Sequence, residues 1–212
     1  MGGTASGAIG LDLRVFDSPR EAQSAAAVLL VEAARAGEHI CLSGGGTPGP
    51  AYELAAELES DWTRARLWWG DERCVPPDDE RSNYLLVRHT LLDRLQRQPE
   101  EVHRIRGELG GEAAAAEYDS KLEGVTIGLA LQGLGADGHT ASLFPSSAVL
   151  DERERRAVAV PREDVERDRR EVDPRDLGIG MRPQPIPRIP QANRDARPRA
   201  RGRRSRADAS RA

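Results

Sequence analysis

Aromatic side chains are scarce in this 212-residue chain: three Trp, three Tyr and two Phe make up 4% of it, and none lies beyond residue 150. Cysteine is scarcer still. Cys41 and Cys74 are the only two, and neither sits in a CxxC pair. So sparse a pattern excludes a disulfide-built scaffold and reads as two reduced thiols. No apolar run approaches the roughly 20 residues of a membrane span. No N-terminal stretch joins basic residues, an apolar core and a cleavage site, and MGGTASGAIG reads as a loose terminus. These absences predict a soluble, cytoplasmic protein with no membrane partner.

Hydrophobic residues reach only 38%, while charged residues reach 31%. That low average conceals a break near residue 150. Residues 151–212 hold 18 Arg against 12 acidic residues, whereas the first 150 hold 13 basic and 23 acidic ones. The two parts are different kinds of sequence.

In the first part, apolar and turn residues alternate as in a layered α/β protein. Leu11 to Phe16 (LDLRVF) alternates apolar and polar residues and predicts a first strand near a sheet edge. Asp17-Ser18-Pro19 supplies a cap and a proline for a helix over Arg20–Ala36, which Gly37 should end. A short buried strand, His39–Leu42, runs into Ser43-Gly44-Gly45-Gly46-Thr47-Pro48, and a helix follows over Gly49–Leu58. Ala65–Trp69 predicts the next strand, with Gly70-Asp71-Glu72-Arg73 as the loop leaving it. Asn83–Leu95 shows helical spacing behind Ser82, with His89 on its apolar face and packed or exposed rather than catalytic. Val102–Arg106 predicts a strand in which His103 is structural. Gly111–Leu122 predicts a helix, and Val125–Leu134 a buried strand. This order implies a three-layer, mostly parallel, Rossmann-like α/β sheet.

Three loops then stand at strand ends, where open α/β sheets bind ligands. The stretch Ser43, Gly44, Gly45, Gly46, Thr47 removes the side chains that would shield backbone N–H groups from an anion. The following helix start adds its partial positive charge. It is neither GxGxxG nor a Walker loop, so it predicts a phosphorylated small molecule rather than a nucleotide. Arg73 suits a phosphate or a developing oxyanion, and Asp71 suits the orientation of Arg73 or of a substrate hydroxyl. In Gly133–Pro145, GLGADGHTASLFP, His139 is the best-placed acid or base of the chain. Asp137 or a backbone carbonyl would fix its tautomer. Without further His or Cys ligands beside Asp137-Gly138-His139, no metal is expected.

Segments SGGGTPGPAYELAAE (43–57), WWGDERCVPPDDERSNYLLVRHTLLD (68–93) and GLGADGHTASLFP (133–145) resemble the 6-phosphogluconolactonase family. The likeness runs over about residues 10–160. It implies a sugar-phosphate isomerase-like fold that hydrolyses 6-phosphogluconolactone in the pentose phosphate pathway, as a monomer and without a cofactor. His139, Asp137, Arg73 and Asp71 would be catalytic. Ser43, Gly44, Gly45, Gly46, Thr47, Asn83 and Gly138 would bind substrate and phosphate. The related deaminases of glucosamine 6-phosphate carry DEY and HIAFNEP where this chain has Asp71-Glu72-Arg73 and His139–Pro145, which favours the lactonase. An inactive sugar-phosphate binder is the remaining alternative. Gln132 departs from the family by placing a polar group in an expected buried strand.

Residues 1–160 thus read as the lactonase-like domain, and its sheet reads as incomplete at the C-terminus. Residues 161–212, rich in Arg and Pro, read as a disordered or frameshifted tail. A basic, nucleic-acid-binding tail is the competing reading, and nucleic acid is not the expected partner.

Overall fold

A computed structural model describes residues 12–161, 164 and 178–181. Helix α1 spans Pro19–Ala36. The Ser18 hydroxyl accepts the Glu21 N–H at 3.3 Å at its start, and Gly37 ends it at φ 78°. Then follow β1 (His39–Leu42), α2 (Gly49–Leu58), β2 (Arg66–Trp69), β3 (Asp71–Arg73), α3 (Asn83–Thr90) and β4 (Glu101–His103). The last elements are α4 (Gly111–Lys121), β5 (Leu129–Ala130), β6 (Ala157–Ala159) and β7 (Gly178–Met181).

Strands β4, β2, β1 and β5 form a parallel sheet in that order, with Ile40 of β1 opposite Leu67 on one side and Leu129 on the other. Ile40, Cys41 and Leu42 are all fully buried, so β1 is covered on both faces. Successive strand residues point to opposite faces. In β2 the Trp68 ring lies 5.8 Å from Tyr118 of α4, and the next ring, Trp69, lies 5.6 Å from Tyr84 of α3. Helices α4 and α3 therefore cover opposite faces, and the parallel α/β architecture with helices on both sides is what the sequence predicted. No helix of the described residues is long and apolar enough to cross a membrane.

Several boundaries differ from expectation. Residues 12–16 join no sheet, and Leu13 and Val15 are exposed. Leu11 lies outside the described residues. Alternation makes a strand possible, but ladder partners make it form, and none of the described strands runs beside this stretch. Asp71–Arg73 is a strand rather than a loop. It pairs with β7, which pairs in turn with β6, in a small antiparallel sheet. Strand β7 falls within 161–212, where no structure was expected. Its four residues, Gly-Ile-Gly-Met, are hidden in an Arg/Pro-rich average, and the expected boundary at 160 falls between paired strands. Apart from these residues, Pro161 and Asp164, the tail lies outside the described residues.

Helix α3 stops at Thr90, and Leu92–Arg94 turns as a short 3₁₀ helix. Leu91, at φ −128° and ψ −67°, leaves helical geometry, yet Leu91, Leu92 and Leu95 stay buried, so the apolar spacing marked the core beyond the helix. Strand β4 is shorter than Val102–Arg106 and starts one residue earlier. The run Val125–Leu134 yields only a two-residue ladder, half-exposed, because among the described residues β1 alone flanks it. Gln132 therefore sits on an open edge, exposed, with its Nε2 3.7 Å from the Cys41 sulfur.

Candidate active site

Strands β2, β1 and β5 are neighbours, so the loops leaving their carboxyl ends meet. They enclose a cleft of about 210 Å³. Ser43, Gly44 and Gly45 line it from β1, Asp71 and Arg73 from β3, Asn83 from the start of α3, and His139 from the β5 loop.

The glycine-rich loop is held from both sides. The Tyr52 hydroxyl of α2 accepts the Ser43 N–H at 3.0 Å and donates to the Ser43 carbonyl at 2.7 Å. Burial raises the Tyr52 hydroxyl far above its usual range, so it stays a neutral donor. Gln23 of α1 donates to the Thr47 carbonyl at 3.1 Å. Gly45 sits at φ 90°, a conformation that side chains disfavour.

Alternation in β3 sorts its three charges. Asp71 and Arg73 face the cleft, whereas Glu72 points to the start of α3. There its carboxylate accepts the N–H groups of Arg73 (2.7 Å), Asn83 (2.8 Å) and Tyr84 (2.9 Å) and the Ser82 hydroxyl (3.0 Å). Burial pushes the Glu72 carboxyl up, and these donors pull it back. The Asp71 carboxylate accepts Asn83 Nδ2 at 2.9 Å on Oδ1 and Ser142 Oγ at 2.7 Å on Oδ2. Among the described residues, no group pairs with the Arg73 guanidinium.

His139 is oriented by its own loop. Asp137 Oδ1 accepts the His139 backbone N–H at 3.1 Å and lies 2.5 Å from the ring Nδ1. A carboxylate only accepts, so Nδ1 carries the proton, which in the neutral imidazole leaves the lone pair on Nε2. The two N–H donors of His139 hold the Asp137 carboxyl below its usual range. The Phe144 ring lies 5.0 Å from the imidazole. Gly138, at φ 92°, allows the turn, and a Cβ on Gly135 would lie 2.2 Å from both Cε1 and Nδ1 of His139.

Of the residues singled out from sequence, Ser43, Gly44, Gly45, Asp71, Arg73, Asn83 and His139 meet in one cleft. Asp137 and Gly138 stand behind His139, and Gly46 and Thr47 lie outside the lining. Asn83 is 4% exposed, and Nδ2 also donates to the Asp71 carbonyl at 3.0 Å, so its amide protons serve Asp71. Ser142 and Phe144 were missed. A serine three residues after His139 carries no signal of its own until Asp71 is seen against it. Among the described residues, no group of three or more His, Cys, Asp or Glu could hold a metal ion.

Residues 18–170 match the family described as glucosamine-6-phosphate isomerases/6-phosphogluconolactonase. The 6-phosphogluconolactonase of Treponema pallidum is 43% identical over 124 residues, which are 52% of this chain and 51% of that protein. That of Haemophilus influenzae is 37% identical over 129 residues, covering 57% and 56%. The chain thus spans about half the length of these curated relatives. A solved 6-phosphogluconolactonase from Trypanosoma cruzi superposes with a TM-score of 0.65 at 27% identity, covering 79% of this chain and 73% of that one.

Proposed function

The chain belongs to the glucosamine-6-phosphate isomerase/6-phosphogluconolactonase family, and we propose that it hydrolyses 6-phosphogluconolactone to 6-phosphogluconate. The observation that carries this reading is the Asp137–His139 pair at 2.5 Å, set in one cleft with Arg73 and the Gly44–Gly45 loop. Ester hydrolysis needs a water made nucleophilic and an oxyanion stabilised. Nε2 of His139 takes the water's proton while Asp137 holds the Nδ1–H tautomer. The hydroxide adds to the lactone carbonyl, the tetrahedral intermediate collapses, and the ring C–O bond breaks. The imidazolium returns its proton to the leaving ring oxygen. Arg73 faces the oxyanion or the 6-phosphate. The backbone of Ser43–Gly45 holds the phosphate and so sets the carbonyl's distance from His139.

The test is hydrolysis of the lactone by the full chain, beside ammonia release from glucosamine 6-phosphate. Lactone turnover is expected without ammonia release. His139→Gln should lower kcat by about 10²–10⁴-fold, with binding of 6-phosphogluconate retained. Turnover equal to the parent's would remove His139 from the mechanism, and ammonia release without lactonase activity would overturn the reading itself.

A further inference from the structure

Ser142 lines the cleft yet commits its hydroxyl proton to Asp71, 2.7 Å away and 71 residues earlier in the chain. Both groups are buried, at 6% and 7% exposure. The other Asp71 oxygen is taken by Asn83, so the carboxylate is bonded both from the start of α3 and from the His139 loop. Ser142 belongs to a four-residue turn in which Leu143 N–H donates to the Thr140 carbonyl at 2.9 Å. Ala141 in that turn sits at φ 52°, a left-handed conformation that something outside the turn must offset. Three other bonds of this region stay within the loop: Thr140 Oγ1 to the Gly133 carbonyl, Gly135 N–H to the His139 carbonyl, and Asp137 to His139. The Ser142–Asp71 bond leaves it. It ends on the strand that carries Arg73, two residues on and on the same face.

We infer that Ser142 is a positioning residue that locks the His139 loop to β3 through the Asp71 carboxylate, fixing His139 relative to Arg73. This rests on the lactonase reading for its kinetic consequence, but the geometric claim stands apart from it. A bond that merely stabilised the fold would lower the unfolding temperature and leave the turnover of folded protein intact. A positioning bond acts on kcat, because a displacement of about 1 Å at the reacting groups costs up to about 10²-fold.

The experiment compares the full chain with Ser142→Ala, Asp71→Ala and the double variant, by lactone kinetics and by amide exchange. Ser142→Ala is expected to lower kcat by about 10- to 100-fold with KM close to the parent's. Amides 139–143 should exchange faster while those of α1 keep parental rates. The double variant should exchange no faster in 139–143 than the Asp71 variant alone, because removing the carboxylate already leaves the Ser142 hydroxyl without this partner. Parental exchange in 139–143 would overturn the inference. So would acceleration that extends to α1, independent losses that multiply in the double variant, or a raised KM with kcat kept. A parent chain without lactonase activity sinks the functional reading and leaves the exchange data to decide the role of Ser142.

Discussion

A Cβ on Gly44 would lie 1.7 Å from Oδ1 of Asn83, so the glycine-rich loop and the start of α3 touch only because that position has no side chain. Asn83 cannot yield easily, since it is buried and bonded twice to Asp71. Gly44→Ala should therefore destabilise the protein by about 1–3 kcal/mol and raise KM for the phosphorylated substrate. Thermal unfolding and steady-state kinetics check this together. An alanine variant with parental stability and KM would mean that the loop is free to move.

Gly135 has the same relation to the imidazole. Its added Cβ would occupy the space of Cε1 and Nδ1, so Gly135→Ala should turn His139 away from Asp137. A fall in kcat of about 10²-fold is expected with little thermal cost, because the loop is largely exposed. A loss of stability without a loss of kcat would contradict this.

Asp137→Asn keeps the size of the side chain but can donate toward Nδ1, which favours the wrong tautomer. The expected loss in kcat is about 10²–10⁴-fold at unchanged 6-phosphogluconate affinity, read by turnover and titration calorimetry. Unaltered kcat would leave Asp137 a loop constraint only.

Acid should unsettle the far end of the sheet. Trp68 Nε1 donates to His39 Nδ1 at 2.9 Å, and an indole N–H only donates, so that nitrogen must be unprotonated. Burial, then the Arg66 charge, holds the His39 pKa below its ordinary 6.5. A folded-state pKa lowered in this way gives stability that is present above pH 6.5 and lost as pH falls through the folded value. Melting temperature should fall more steeply below pH 6.5 in the parent than in His39→Gln. Parallel pH curves would assign the acid sensitivity elsewhere.

The sequence by itself determined the elements whose signals are local. Ser18 and Gly37 bracket α1, and the glycines after β1 and around His139 mark turns that other residues enter at a cost. His139 with Asp137 two residues away was legible for the same reason, since the pair is built within one loop. Tertiary structure alone decided what depends on distant neighbours. It made a strand of Asp71–Arg73 by bringing Gly178–Met181 beside it, and it left residues 12–16 without a ladder. It reassigned Asn83 to holding Asp71 and gave Ser142 a partner 71 residues away. Hydrogen bonds and burial of this kind belong to pairs of positions, and a chain read in order presents one position at a time.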